Sequence, residues 1–210
     1  MCAKCGAFER GRLAWMALTR LNLARPGVRV LNLAPEPFML CSKSRLFEGG
    51  YHAADYDPAL FAKWGKPVMP LDLCSDLNNL PPGYYDVIMH NHVLEHVPCE
   101  VTTVLRGLNR AIIHGGYHLF SVPIKSNAIT VEDLSSELTS AERLAAFGQE
   151  DHMRYFGDID FLEFLKKAEM TDGMVDLSSL ISSEECIAAG LPPDVFETLN
   201  SNRVFVWRKQ

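Results

Sequence analysis

The sequence predicts an α/β protein with a doubly wound, mostly parallel seven-stranded sheet that ends in an antiparallel hairpin. Short apolar runs alternate with helical or crossover segments through the first 123 residues, a pattern typical of parallel strands joined by right-handed crossovers. No convincing crossover helix separates the last two strand-like runs, so we expect them to pair with each other. With 210 residues, 48% of them hydrophobic, the chain can bury one sizeable core.

Residues 1–25 form an N-terminal segment ahead of the predicted sheet. Apolar residues between Phe8 and Leu23 recur at helical spacing, which predicts a packed lead-in helix. Cys2 and Cys5 form a Cys-x-x-Cys pair followed by glycine, which resembles one zinc knuckle and supplies half of a metal site. No second pair follows, so reduced, metal-free cysteines are the alternative and we do not expect bound zinc. Six scattered cysteines in a chain of this size also favour thiols over a disulfide framework.

Residues 26–210 form the predicted α/β domain. Its first five strands are expected at 28–33, 51–55, 67–71, 86–90 and 117–123, with helices at 37–47 and 101–113 and another that begins at Pro58. The polar residues 125–157 contain few strand signals and one helix, at 140–147, and we interpret them as an insertion over the sheet. An amphipathic helix at 158–168 and strands at 174–181 and 203–208 complete the domain.

Composition narrows the range of partners. Twenty Lys and Arg residues stand against 26 Asp and Glu, and the net charge of −6 gives no reason to expect a nucleic acid or an acidic membrane surface as partner. The longest apolar stretches are far shorter than the roughly 20 residues that cross a bilayer. The first 12 residues carry charges and glycines in place of a signal peptide's apolar run. We therefore expect a cytoplasmic protein without membrane insertion, and the sequence predicts no oligomeric state.

Polar turns follow the first four predicted strands, at the edge where open parallel sheets bind ligands. Asp55, at the end of strand two, is placed to accept hydrogen bonds from both hydroxyls of a ribose, and Asp57 is its rival. Asp72 could accept from an adenine amino group beside an apolar neighbour, or could cap its own backbone. In chain order, the turns contain Leu33-Ala34-Pro35-Glu36, Asp55-Tyr56, Asp72-Leu73 and Asn91-His92.

Four segments resemble one known family. DVIMHNHVLEHVP (86–98) and RAIIHGGYHLFSVP (110–123) are similar to the fourth and fifth strands of the class I, seven-stranded S-adenosylmethionine-dependent methyltransferases, in the small-molecule and lipid branch called methyltransferase type 11. CAKCGAFERGR (2–12) and AAFGQEDHMRYFGDIDF (145–161) resemble a bacterial branch of that family. The resemblance covers nearly the whole chain and implies a Rossmann-like methyltransferase fold.

The resemblance also implies S-adenosylmethionine as cofactor. It assigns the methionine end to the turn from Leu33 to Glu36 and to Asn91 and His92, the ribose to Asp55, and the adenine to Asp72 with Leu73. The first turn departs from the family pattern, because this chain has NLAPEP where an acid followed by alternating glycines is usual. Ala34 and Pro35 permit less close backbone approach than glycine does.

Methyl transfer by direct displacement needs chiefly alignment of acceptor, methyl carbon and sulfur, and an oxygen or nitrogen acceptor also needs a general base. Histidine titrates near neutrality, so His92, His96 and His152 are the candidates, with local hydrogen bonding as the alternative for each. His152 and Arg154 lie in the insertion, which is positioned to cover the site. Glu95 is expected to support its turn.

Three functions remain open. The first is a methyltransferase acting on a small molecule, a glycan or a lipid precursor. The second is a catalytically inactive cofactor-binding scaffold, suggested by the altered first turn. The third is a nicotinamide-dependent oxidoreductase, which the missing glycine fingerprint and the terminal hairpin disfavour.

Overall fold

The computed structural model describes residues 2, 6–135 and 137–210. Its regular elements are, in chain order, α1 (Glu9–Arg20), β1 (Val30–Leu33), β2 (Tyr51–Asp55), β3 (Met69–Pro70), β4 (Tyr85–Asn91), α2 (Val101–Ala111), β5 (Ile112–Ser121), β6 (Ile124–Lys125), β7 (Val131–Glu132), α3 (Ser140–Phe147), β8 (Arg154–Gly157), α4 (Phe161–Lys167), α5 (Ser183–Ala188) and β9 (Phe205–Arg208).

The central sheet has the order β3-β2-β1-β4-β5-β9. Strands β1 to β5 are parallel, and β9 runs antiparallel to β5. The mostly parallel sheet with a C-terminal antiparallel pair is therefore confirmed, but the antiparallel partner of β9 is β5 and not the expected run at 174–181. The strand order reverses between β1 and β4, which is where ligands bind in folds of this kind.

Both faces of the sheet are covered, as the continuous apolar runs predict. Successive side chains of a strand point to opposite faces, so Val87 and Met89 join the cluster around α1, whereas Ile88 joins the cluster around α2. The α2 side also contains residues of α4, and the α1 side contains residues from 177 to 206. The core is thus two layers packed on one sheet.

In the described residues the central sheet has six strands, one fewer than expected. The missing strand is 174–181, which contributes a single antiparallel bridge between Met174 and Trp207. Asp176 explains the interruption, because its carboxylate accepts a hydrogen bond from the Ser178 N–H at 3.0 Å and starts a 3-10 turn at Leu177–Ser179.

Two of the expected helices are also irregular. A π-helical turn at Phe38–Lys43 and a 3-10 turn at Ser44–Phe47 replace the helix at 37–47, and a 3-10 segment at Pro58–Trp64 replaces the one after Pro58. The connections from β1 to β2 and from β2 to β3 therefore contain irregular turns in place of regular α-helices.

The insertion builds a small sheet of its own, in the order β6-β8-β7, with α3 beside it. The Met153 N–H donates to the carbonyl of Glu95 at 2.8 Å. Arg154, whose side chain is fully buried, donates to the carbonyls of Leu94 and Cys99. The insertion is therefore fixed to the turn that follows β4.

Cys74 and Cys99 form a disulfide, with Cα atoms 5.9 Å apart. The expectation that the cysteines are reduced thiols is wrong at these two positions, because the loop after β3 and the turn before α2 bring residues 25 positions apart into contact. Cys5, half of the Cys-x-x-Cys pair, lies outside the described residues. None of the helices in the described ranges is long and apolar enough to cross a membrane.

Candidate functional site

A cavity of about 560 Å³ lies at the carboxyl ends of β1, β2 and β4. Leu33 pairs in register with Ala54 on one side and with His90 on the other, so the turns after these three strands start at the same level. The cavity is of the size that small-molecule and cofactor sites have. Its walls are Leu33, Ala34, Ala54, Asp55, Tyr56, Leu60, Leu71, Asp72, Leu73, His92, Val93, His96, Val97, Pro98, Asp151 and Met153.

The turn after β1 sends its first residues into the cavity and its later ones away from it. Ala34 has a φ of 45°, in the left-handed region that favours glycine, and its N–H donates to the carbonyl of Ala54 at 2.9 Å. Pro35 does not line the cavity. The carboxylate of Glu36 faces the N-terminal segment, with Oε1 at 3.3 Å from Nε of Arg10 and Oε2 at 3.4 Å from the N–H of Phe8. The structure thus separates Glu36 from the other expected cofactor residues.

Asp55 presents a half-buried carboxylate at the end of β2. Its Oδ1 accepts from the Asp57 N–H at 2.7 Å, and burial raises the pKa of this carboxyl above its ordinary value. Asp57, the rival acid, caps the following 3-10 segment through the Ala59 N–H at 3.1 Å and does not line the cavity. Tyr56 is 80% exposed at the mouth.

The turn after β3 supplies an acid and an apolar wall. Asp72 Oδ1 accepts from the Cys74 N–H at 2.8 Å, which is the local capping interaction, and the residue also lines the cavity. Leu71 and Leu73 are buried beside it. An apolar face and a carboxylate therefore occupy the same side of the cavity.

The turn after β4 places His92 in the wall and turns Asn91 away from it. Asn91 Oδ1 accepts from the Ser121 hydroxyl at 2.9 Å, and Asn91 does not line the cavity. His92 has a φ of 54°, and its Nε2 lies 3.1 Å from the carbonyl of Ser201. Burial lowers the pKa of His92 to about 4. Ala34 and His92 therefore both hold an unfavourable left-handed backbone at the cavity, and such backbone is common at functional sites.

Glu95 was expected only to support its turn, and its burial as an ionisable group beside the cavity was not predicted. Its side chain is fully buried in the turn after β4, and burial raises the pKa of its carboxyl to about 8, against the opposing effects of its own backbone amide, Arg10 and Arg154. The sequence signal is the spacing His92-x-x-Glu95-His96, because H-x-x-E-H occurs in one class of zinc enzymes.

His152 lies next to this turn. It is buried, 5% exposed, and its Nδ1 lies 3.3 Å from the carbonyl of Phe147. Burial lowers its pKa. Its ring meets that of His96 edge-on, with centroids 4.7 Å apart. Of the three candidate histidines, His92 and His96 thus line the cavity, and His152 lies behind its wall against His96.

Comparison with known proteins supports the fold. No protein-family model matches the sequence, and no curated protein matches it. A S-adenosylmethionine-dependent methyltransferase from Archaeoglobus fulgidus is 16% identical with a TM-score of 0.54, covering 94% of both chains. One from Mesorhizobium loti is 15% identical with a TM-score of 0.56, covering 95% of this chain and 98% of that one. The [4+2]-cyclase SpnF is 16% identical with a TM-score of 0.50, covering 95% and 82%. The chain therefore has the class I methyltransferase fold.

Proposed function

We propose that the protein is a S-adenosylmethionine-dependent methyltransferase that acts on a small molecule, a glycan or a lipid precursor. The observation that carries the proposal is a carboxylate, Asp55, at the end of β2, opening into a 560 Å³ cavity at the switch point of this fold. Fold alone does not decide the reaction, because SpnF has a similar fold and is named as a cyclase.

The walls of the cavity fit the parts of this cofactor. Asp55 would accept from the ribose hydroxyls, while Leu71 and Leu73 would pack on the adenine and Asp72 would accept from its amino group. Leu33 and Ala34 with His92 would hold the methionine end. When bound, S-adenosylmethionine supplies an electrophilic methyl group, and the surrounding residues need mainly to align an acceptor with it and exclude water.

The insertion covers the other side of the cavity, where an acceptor would enter. Asp151 and Met153 reach the wall from it, so the acceptor would lie between the insertion and the turn after β4. His92 is neutral near pH 7 because its pKa is low. A pKa of about 4 makes His92 a weak base that suits an acceptor with an easily lost proton. Because it lines the cavity, it is the residue we assign as the candidate base.

Calorimetric titration with S-adenosylhomocysteine tests the proposal. The wild type should bind, and Asp55→Asn should weaken binding by about 10- to 100-fold, because hydrogen bonds to a charged group contribute about 1.5–3 kcal/mol. Asp57→Asn is the matched control: it is two residues away and outside the cavity, and should change affinity less than threefold.

Three results would contradict the proposal in different ways. Absence of binding by the folded wild type would support a scaffold that binds no cofactor. Tight binding of a nicotinamide dinucleotide instead would support an oxidoreductase. Equal losses from Asp55→Asn and Asp57→Asn would remove Asp55 from the site. Activity is then measured as release of S-adenosylhomocysteine across a panel of small-molecule, glycan and lipid acceptors.

A further inference from the structure

One wall of the cavity is backed by a cluster of a carboxylate and two imidazoles, here called the Glu95 cluster: Glu95, His96 and His152. One oxygen or nitrogen from each side chain lies within 4.8 Å of the others. Glu95 and His152 are buried, and His96 is half-buried at the cavity surface. The proposed binding of S-adenosylmethionine does not use this cluster.

Glu95 lacks the partners that a buried carboxylate requires. Apart from the effect of its own backbone N–H, neither of its oxygens accepts a hydrogen bond from the described residues. Two imidazole nitrogens lie near its Oε1, His92 Nδ1 at 3.5 Å and His96 Nε2 at 4.0 Å. A buried ionised carboxylate without compensation is costly, so Glu95 must bind either a proton or a cation at these atoms.

Each histidine of the Glu95 cluster has its Nδ1 against an acceptor, which leaves its Nε2 as the ring nitrogen available to a ligand. His96 Nδ1 lies 3.1 Å from a carboxylate oxygen of Asp151, and His152 Nδ1 lies 3.3 Å from the carbonyl of Phe147. Both partners can only accept, so each Nδ1 carries a proton, and the neutral form of either ring has its free lone pair on Nε2. The Nε2 of His152 is buried without a hydrogen-bond partner in the described part of the chain.

This arrangement is the one that metal-binding histidines have. Such histidines donate their other ring N–H to a carboxylate or a backbone carbonyl, which fixes the tautomer and orients the lone pair. Here Asp151 supplies the carboxylate for His96, and Phe147 supplies the carbonyl for His152. The two imidazoles and one carboxylate match the His₂Glu ligand set of catalytic zinc sites.

The nearby arginines do not neutralise Glu95 directly. Arg154 donates to Leu94 and Cys99 carbonyls and to Glu132, and Arg10 lies against Glu36. Neither forms an ion pair with Glu95 in the residues described. The charges of Arg10 and Arg154 reduce the cost of an ionised Glu95, but neither arginine occupies the space between Glu95, His96 and His152.

We propose that Glu95, His96 and His152 bind a divalent transition metal ion of the zinc type in the wall of the cavity. Imidazole and carboxylate ligands suit this class of ion. Because His96 is at the cavity surface, it is the ligand able to move towards the two buried ones. A fourth coordination position would face the cavity, open to water or to an oxygen, nitrogen or sulfur of a bound small molecule.

Cobalt(II) titration of the metal-stripped full-length chain tests this proposal through its absorption spectrum. We expect one ion per chain with visible bands of nitrogen and oxygen ligands and without thiolate charge-transfer bands, and competition by zinc(II). Glu95→Gln and His96→Ala should each weaken binding by at least about 10-fold, the minimum effect of altering even an indirect ligand contact. His114→Ala, an exposed histidine outside the cluster, should leave affinity within threefold.

The opposite results are equally clear. No binding by the wild type, or binding that all three variants retain, would overturn the site, and in the first case Glu95 would hold a proton instead. Thiolate bands alone would place the ion on cysteines and also overturn it. His96 is partly exposed, so His96→Ala provides a folded variant even where Glu95→Gln is unstable. Titration with S-adenosylhomocysteine in the presence of a chelator measures cofactor binding without metal. The result of the metal test is therefore separate from that of the proposed function.

Discussion

The guanidinium Nε of Arg10 lies 3.3 Å from Oε1 of Glu36, and this ion pair joins α1 to the loop that follows β1. Both atoms are buried without a well-oriented hydrogen bond in the described chain, so the contact is an electrostatic one. Burial raises the pKa of Glu36, and Arg10 opposes that rise. The N-terminal helix therefore sets the position of the loop that begins with Ala34.

Gly11 is needed for this contact. A Cβ at position 11 would lie 2.2 Å from Oε2 of Glu36. Alanine in a helix interior normally stabilises by about 1 kcal/mol over glycine, but overpacking costs about 1–3 kcal/mol. We expect Gly11→Ala to lower the free energy of unfolding by about 1 kcal/mol, measured by urea denaturation. In a Glu36→Ala background the same change should stabilise, and destabilisation there would contradict the role of Glu36.

Ala34 gives the second prediction. An L residue in the left-handed region costs about 1–2 kcal/mol, and glycine removes this cost while losing about 0.5–1 kcal/mol of unfolded-state entropy. Ala34→Gly should therefore raise the unfolding free energy by up to about 1 kcal/mol and leave affinity for S-adenosylhomocysteine the same or higher. Ala53→Gly in β2 is the control and should destabilise. A large loss of stability or affinity in Ala34→Gly would show that the methyl group of Ala34 makes a favourable contact.

The strands of the sheet could be predicted because each buried strand appears in the sequence as a short apolar run. Val87, Ile88 and Met89 form an apolar run that is buried on both faces, and such runs predict parallel strands from composition alone. Asp55 could be placed at the cavity because the end of a strand is visible in the sequence. Strand 174–181 could not be excluded, since its apolar residues resemble a strand and only the capping by Asp176 interrupts it.

Contacts between distant segments were not predictable in the same way. Glu36 follows β1, yet its carboxylate faces Arg10, which lies 26 positions earlier in the sequence. The significance of Glu95 depends on His152, which the insertion brings beside it, and the Cys74–Cys99 disulfide depends on how two loops meet. Each of these is a property of packing between elements, and single-sequence periodicity contains no information about it.

The third prediction concerns acid stability. His90 and His118 are fully buried with Nε2 atoms 3.1 Å apart, and His118 Nδ1 lies 2.7 Å from Oδ1 of Asn109. Nδ1 of His118 donates to that amide oxygen, so Nε2 of the neutral His118 ring is an acceptor. Nε2 of His90 therefore carries the proton of the hydrogen bond between the two rings. Burial lowers the pKa of His90 to about 3 and lowers that of His118 well below its ordinary value.

The sign follows from linkage. The unfolded chain binds protons at these histidines near pH 6.5 while the folded chain does not, so their contribution is complete above about pH 6.5 and is lost as pH falls towards 3. Each histidine contributes a slope of up to about 1.4 kcal/mol per pH unit. Urea unfolding between pH 7 and 5 should show this slope, and His90→Phe should reduce it. An unchanged slope in His90→Phe would refute the assignment.

Arg154 gives the last prediction, because its fully buried guanidinium joins the insertion to the turn after β4. It donates to the carbonyls of Leu94 and Cys99 and pairs with Glu132. Lysine keeps the charge but cannot make these divergent hydrogen bonds, and breaking a buried ionic network costs about 3–5 kcal/mol. We expect Arg154→Lys to destabilise by that amount in urea denaturation, whereas Arg106→Lys, at an exposed arginine, should change stability by less than about 0.5 kcal/mol.

Because Asp151 and Met153 reach the cavity from the same segment, Arg154→Lys should also weaken binding of S-adenosylhomocysteine. Destabilisation with unchanged affinity would mean that the insertion holds the fold together without shaping the cavity.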